Sequence, residues 1–125
     1  MGVGVFTDQH RHSADVGGVA VLVGEVPHAH SDALRSGIDY VRNKKGSSAV
    51  LLATVEGGKV TLVAGMSKDV VERGIKAGDL IKEICPLVGG KGGGRPDMAQ
   101  GGGSDPKGLP KSLERANKWL GEKLS

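Results

Sequence analysis

The chain has 125 residues, of which 38% are hydrophobic and 25% are charged, a composition typical of a soluble globular protein. That length is enough for one domain with a single modest core, and it excludes a catalytic domain joined to a separate binding domain. Lysine and arginine together number 17 against 14 acidic residues, so the formal net charge is +3. A weakly basic balance permits a nucleic-acid partner without requiring one.

Neither the cysteine usage nor the hydropathy suggests a secreted or membrane protein. Cys85 is the single cysteine, so no disulfide can form within the chain, and we interpret it as a small buried apolar residue. No apolar run approaches the roughly 20 residues that span a bilayer, and the N-terminus lacks a signal-peptide pattern. We therefore expect a cytoplasmic protein with no membrane partner.

The chain divides near residue 17. Residues 1–16 show no sustained periodicity, and we expect a flexible lead-in, a linker or a segment added to the natural chain. Residues 17–125 are predicted to form one folded domain. It begins with VAVLVGEV, residues 19–26, a nearly continuous β-branched run that predicts a buried strand.

One helix is predicted after that strand, because three apolar residues recur at helical spacing: Leu34, Ile38 and Val41. Its N-cap is expected at Ser31 or Asp32, and Gly46 is expected to stop it. Cations gather at its C-terminal end, where the helix dipole favours them: Arg42, Lys44 and Lys45.

Two strands and three helical segments follow. AVLLATVE and KVTLVAGM, residues 49–56 and 59–66, are predicted to pair antiparallel through a Gly57-Gly58 turn. A short helical turn is expected from Ser67, and a second helix from about Ala77 that Pro86 kinks or ends. A closing helix is predicted from one apolar stripe: Leu109, Leu113, Ala116, Leu120 and Leu124.

Before the closing helix lies GGKGGGRPDMAQGGG, residues 89–103, in which eight of fifteen residues are glycine. We interpret it as a glycine-rich loop within one core, because a flexible linker would mix glycine with serine and join units that fold alone. Such a loop lets backbone amides approach a phosphate or a base plane, while Lys91 and Arg95 supply charge. No G-x-x-x-x-G-K-[ST] motif occurs, so nucleotide hydrolysis is rejected.

No other pattern predicts catalysis. The histidine pairs His10/His12 and His28/His30 lack a nearby cysteine or a convincing carboxylate ligand, so no metal site is expected. There is no nucleophile motif either. We expect no catalytic residue, no metal and no cofactor.

The order of residues in the glycine segment identifies a family more specifically than its composition does. GGRPDMAQGG, residues 93–102, together with KVTLVA at 59–64 and AGDLIKE at 77–83, resembles the C-terminal domain of alanyl-tRNA synthetases. The broader grouping is the DHHA1 domain, and the resemblance covers about residues 17–124.

This resemblance implies an α/β fold, a single domain with a central mixed sheet flanked by helices. It also implies a part that binds tRNA without catalysing a reaction, since this domain is described as contacting the tRNA elbow and so helping couple aminoacylation and editing. The implied partners are alanine-specific tRNA and the catalytic and editing domains of the same enzyme. A homodimer is a further possibility.

Two other functions stay open. The same grouping occurs in DHH-type phosphoesterases, where it serves as a substrate-binding domain with a GGGH signature. Here Arg95 follows Gly92-Gly93-Gly94, a departure that favours the synthetase. The other alternative is an oligomerisation or protein-interaction module, in which the glycine loop packs against a partner.

The tRNA elbow presents an exposed base pair as a flat platform surrounded by phosphates. The glycines could lie against that platform, Met98 or Pro96 could pack on the base plane, and cations could meet phosphates. The alternative for Arg95 is a structural pair with Asp97, and for the two helix-end lysines a solvated cap. The candidate RNA-binding residues are Lys91, Gly92, Gly93, Gly94, Arg95, Pro96, Met98, Gln100, Lys44 and Lys45.

Overall fold

The computed structural model describes residues 11–16, 18–26 and 29–124, which form one six-stranded sheet with helices on both faces. The strands are β1 (Arg11–Val16), β2 (Val19–Glu25), β3 (Ser48–Glu56), β4 (Lys59–Met66), β5 (Gly90–Gly94) and β6 (Met98–Gly103). The helices are α1 (Ser31–Lys45), α2 (Lys68–Glu72), α3 (Ala77–Ile84) and α4 (Leu109–Leu124).

The sheet is mixed, as the family resemblance implies. The strand order is β1-β2-β3-β4-β6-β5, and only β2 and β3 pair in parallel. The parallel pair needs a crossover, which α1 provides. Gly46 ends α1 with a left-handed φ of 76°, as expected, but the N-cap is His30, not Ser31 or Asp32. His30 is extended (ψ 169°) and Ser31 is the first helical residue, so the N-cap lies one residue before the earlier of the two predicted positions.

The central hairpin, β3–β4, is confirmed. Its two-residue turn is made by Gly57 and Gly58, whose φ angles of 58° and 79° lie in the left-handed region that glycine adopts without strain. Alternate residues of the hairpin enter two separate cores. Leu51 and Leu62 pack toward α3 and α4, whereas Leu52 and Val63 pack toward α1.

The open end of the central hairpin is tied by a small polar network. Ser67 is the N-cap of α2, as predicted, and its Oγ accepts from the backbone N–H of Ser48 at 2.9 Å. The Oγ atoms of Ser47 and Ser67 both donate to the carboxylate of Asp69. These two hydrogen bonds hold the pKa of Asp69 below its usual value, and the one from Ser47 contributes most.

Two sequence predictions are corrected. Residues 11–16, expected in a flexible lead-in, form β1 and pair with β2 over its length, while residues 1–10 lie outside the described residues. The expected glycine-rich loop is a hairpin, β5–β6, on the outer side of β4. Glycine has a low strand propensity, but here pairing with β4 satisfies the backbone, and at Gly92 and Gly101 the close approach of α3 leaves no room for a side chain.

The segment between α3 and the outer hairpin runs as expected. A 3₁₀ helix, Cys85–Val88, carries Pro86 and replaces the α-helical continuation of α3. Cys85 is buried, and burial raises the pKa of its thiol, so it behaves as an apolar core residue. α4 then packs on α3, and Arg115 joins Glu83 across that contact with Nη2 to Oε2 at 2.6 Å.

Candidate nucleic-acid interface

The outer hairpin turns at Arg95, Pro96 and Asp97, and backbone hydrogen bonds hold this turn to two other elements. The carbonyl of Asp97 accepts from Met66 N–H at the end of β4 (3.0 Å). The carbonyl of Pro96 accepts from Ala77 N–H at the start of α3 (2.8 Å). The turn is therefore held in one position relative to the sheet.

Arg42 adds a third tie, from α1. Its Nη1 donates to the carbonyl oxygens of Met66 and Asp97, both at 3.3 Å, and its Nη2 bonds Asp39 Oδ1 at 2.7 Å. Sequence reasoning saw in Arg42 only a cation at a helix end. In the structure its planar guanidinium joins α1, β4 and the turn, a geometry that a lysine cannot reproduce.

The two faces of the outer hairpin differ. On the α3 side, Gly92 and Gly101 stand in register with the buried Leu62. On the α1 side lie the residues in register with Thr61 and Val63, and α1 itself packs on β3 and β4. We call this second surface the open face; its members on β5 and β6 are Lys91, Gly93, Gln100 and Gly102.

The three candidate glycines of β5 therefore have different surroundings. A Cβ atom at Gly92 would stand 2.6 Å from Ile81 Cγ2, and one at Gly94 would stand 2.8 Å from Ala99 Cα. A side chain would clash at both positions, although Gly94 itself is exposed. A Cβ at Gly93 would meet only the flexible Cε of Lys82 at an ordinary 3.5 Å, so Gly93 lies on a surface that has room for a ligand.

Arg95 projects into solvent. Its side chain is 81% exposed, and its Nε lies 3.9 Å from Asp97 Oδ1, at the limit of an ion pair. Such an exposed pair contributes little, and the backbone bonds described above already hold the turn. The guanidinium is thus left available on a rigid support.

The remaining candidates are spread along the same side. Pro96 lines a shallow groove of about 430 Å³ together with Arg42, Met66, Lys68, Val71 and Asp97. Met98 is half-buried against the α1-side core, so only part of it faces outward. Lys44 is exposed, with Nζ 6.0 Å from the ring of Tyr40. The side chain of Lys45 lies outside the described residues.

Four cations near the hairpin were not among the sequence candidates: Arg35, Arg42, Lys68 and Lys82. Arg35 and Arg42 are seven residues apart, two helical turns on one side of α1, and that spacing is visible in the sequence. The sequence does not reveal that this side of α1 contacts β6 and the turn. That contact follows from the strand order, which places β6 beside β4.

No cluster in the described part of the chain suggests metal chemistry. Among residues 11–16, 18–26 and 29–124, no three histidine, cysteine or acidic side chains gather as a metal site would require. His30 Nδ1 is 3.5 Å from Glu56 Oε1, but both side chains are largely exposed. His10 and His28 lie outside the described residues. Within the same ranges, no helix is long and apolar enough to cross a membrane.

Comparison with known proteins identifies the family. The profile of the DHHA1 domain matches residues 18–122, which is most of the chain. The chain belongs to the DHHA1 domain family. A curated relative, the alanine–tRNA ligase of Colwellia psychrerythraea, is 46% identical over 119 residues, covering 95% of this chain and 14% of that protein. This DHHA1 domain therefore spans about a seventh of that relative.

Two solved structures share the fold. The C-Ala domain of Aquifex aeolicus alanyl-tRNA synthetase is 32% identical, with a TM-score of 0.76 over 91% of this chain and 98% of that one. This confirms the resemblance to the C-terminal domain of the synthetase. A DHH-domain protein described as a member of a family of ribosomal proteins has a TM-score of 0.64 over 91% of this chain and 28% of that one. At 17% identity, that second likeness shows the fold alone.

Proposed function

We propose that this DHHA1 domain binds tRNA at the elbow, as the non-catalytic C-terminal part of an alanine–tRNA ligase, and presents the tRNA to catalytic and editing domains of the same enzyme. The observation that carries the proposal is the open face. It combines accessible backbone at Gly93, beside the side chains of Lys91 and Gln100, with surrounding cations. An alanine–tRNA ligase at 46% identity and a synthetase C-Ala domain at 32% identity resemble the chain, which favours this reading over a phosphoesterase domain.

The shape of the open face suits a flat ligand. Gly93 has no side chain and open space on its side-chain side, so a planar base pair can approach the backbone there. At Gly102 a Cβ atom would clash with the carbonyl oxygen of Val60, so glycine there is required by the packing of β6 on β4. RNA of this kind is recognised through shape, stacking and backbone contacts. Only one tyrosine and one tryptophan occur in the chain, so backbone planes take the place of an aromatic platform.

The charges suit the phosphates around such a platform. Lys91 lies on the open face, Arg95 projects from the adjoining turn, and Lys82 reaches the edge of the sheet at Gly93. Lys44 and Lys68 extend the positive surface toward the end of α1 and the groove. Lysine and arginine contacts to phosphate position RNA and make the affinity depend on salt.

The first test is a titration of the domain against a folded tRNA transcript and a single-stranded RNA of similar length, at low and near-physiological salt. Saturable binding that prefers the folded tRNA and survives moderate salt supports the proposal. Arg95→Ala is expected to weaken binding and to flatten the salt slope by about one phosphate contact. An unchanged slope in that variant would remove Arg95 from the interface.

A matched pair of variants tests the open face itself. Gly93→Leu places a bulky side chain on the open face without a backbone clash. Gly121→Leu places the same side chain on α4, where no atom lies within 4 Å of the added Cβ. We expect Gly93→Leu to weaken tRNA binding about tenfold, or 1.4 kcal/mol, and Gly121→Leu to leave it unchanged. Thermal midpoints verify that both variants fold.

These experiments also separate the alternatives. Equal, weak binding to both RNAs that vanishes with salt would contradict elbow recognition. A stable dimer in light scattering with no retention of RNA would instead support an oligomerisation or protein-interaction module. A homodimer that binds tRNA is compatible with the proposal, and a cytoplasmic location stays a prediction.

A further inference from the structure

Gln100 lies at the centre of the open face and is held by a residue from α1. Its Oε1 accepts a hydrogen bond from Arg35 Nη2 at 2.7 Å, a contact between residues 65 positions apart. Its cross-strand partner on β5 is Gly93, which has no side chain, and on β4 it is Val63, which is buried under α1. No neighbouring side chain on β5 therefore covers the amide.

The chemistry of this contact sets the orientation of the amide. A guanidinium carries only hydrogen-bond donors, so the atom of Gln100 that faces Arg35 must be the oxygen. This hydrogen bond thereby assigns the oxygen and nitrogen of the amide, which the shape of the group alone does not distinguish. The nitrogen Nε2, with two N–H donors, points away from Arg35, and no acceptor for it occurs among the described residues.

We infer that Gln100 is a specificity-determining residue of the open face, and that Arg35 positions it so that Nε2 donates to an uncharged acceptor oxygen of the bound RNA. This rests on the proposed function and deepens it. Lys91 and Arg95 offer charge, which any phosphate satisfies. A neutral donor gains no ion-pair energy from a phosphate, and its fixed direction suits a ribose 2′-hydroxyl or a base carbonyl, whose position depends on the shape of the RNA.

Two substitutions at one position isolate the donor. Gln100→Glu keeps the shape and the acceptor for Arg35 but replaces the NH₂ group with a second oxygen. Gln100→Met removes the donor without adding charge. We expect each variant to bind folded tRNA about tenfold more weakly than the wild type, with a thermal midpoint close to that of the wild type. If Gln100→Met binds as the wild type does, the inference is overturned.

The positioning role of Arg35 needs a readout that a merely structural role would not move. In a double-mutant cycle, Arg35→Met should weaken binding in the wild-type background and should have much less effect in the Gln100→Met background. Equal losses in both backgrounds would mean that Arg35 acts independently of Gln100, which would overturn the positioning part of the inference.

The source of the acceptor is decided with a DNA copy of the same tRNA sequence, which lacks 2′-hydroxyls. If wild type and Gln100→Met bind this copy equally well, the acceptor is a 2′-hydroxyl; if the difference persists, the acceptor is an oxygen that DNA also carries. Failure of the inference is distinct from failure of the proposed function. Wild-type binding that is sensitive to Gly93→Leu but not to Gln100→Met overturns only the inference, whereas absence of wild-type binding overturns both.

Discussion

The central hairpin β3–β4 and the outer hairpin β5–β6 lie side by side in one sheet, yet they pack against the helices in opposite ways. In the central hairpin, large apolar side chains fill the space on both faces. In the outer hairpin the backbone itself is the packing surface. The contrast is sharpest where the two meet, because Leu62 on β4 is the direct neighbour of Gly101 on β6.

The high glycine content of the outer hairpin has consequences for both of its faces. On the α3 side, the helix and the following 3₁₀ helix come so near that a Cβ atom on Gly101 would stand 2.5 Å from Cys85 Sγ and 2.7 Å from Ile81 Cγ2. On the opposite side, the absence of a side chain at Gly93 leaves backbone accessible on the open face. Glycine at these positions thus serves the core and the candidate interface together.

The largest expected effect comes from removing atoms from the central hairpin. Leu62 is fully buried, so Leu62→Ala leaves a cavity and should lower the free energy of unfolding by about 3 kcal/mol. Urea denaturation measures this loss. A loss below about 1 kcal/mol would mean that the neighbouring glycine strand collapses into the space, which the close packing described above does not allow.

Adding atoms should be nearly as damaging in the outer hairpin. Gly101→Ala pushes Ile81 and Cys85 away from β6, and we expect about 2 kcal/mol of destabilisation in the same urea experiment. Gly121→Ala is the matched control, because Gly121 lies in α4 with open space around it. There the same substitution should stabilise the protein by about 0.5 kcal/mol through helix propensity. Equal effects at the two positions would contradict the packing account.

The smallest effect concerns how the hairpin ends are tied. The open end of the central hairpin depends on an ionised Asp69, whereas the outer turn is tied by Arg42 and by backbone bonds. Because the pKa of Asp69 is lowered by folding, its stabilisation is present above the usual value of 3.8 and is lost as the pH falls through the folded value.

Asp69→Asn should therefore cost about 1 kcal/mol at neutral pH and remove part of the stability loss below about pH 4. Urea denaturation at pH 7 and at pH 3 gives the comparison. If the wild type and the variant differ by the same amount at both values, Asp69 does not contribute through its charge.

Much of this fold was predictable from local pattern. The β-branched run of β2, the Gly57-Gly58 turn and the apolar stripe of α4 each carry a periodicity that one type of element explains. The outer hairpin was not predictable in this way, because local propensity treats eight glycines in fifteen residues as irregular. The candidate RNA-binding residues stay predictions, although the structure separates Gly93, which has room for a side chain, from Gly92 and Gly94, where a Cβ atom would clash.

By itself, the sequence determined the central elements, the family and the segment in which a site was to be sought. Those features depend on residues close together in the chain. The period of apolar positions and the residue order of one motif are sufficient to predict them. Tertiary structure alone decided that GKGGG and MAQGGG are strands, and that Arg35 and Arg42 reach them. The physical reason is that a glycine strand has no side chains to specify its partners, so β4 and the helices that pack on the hairpin specify them instead.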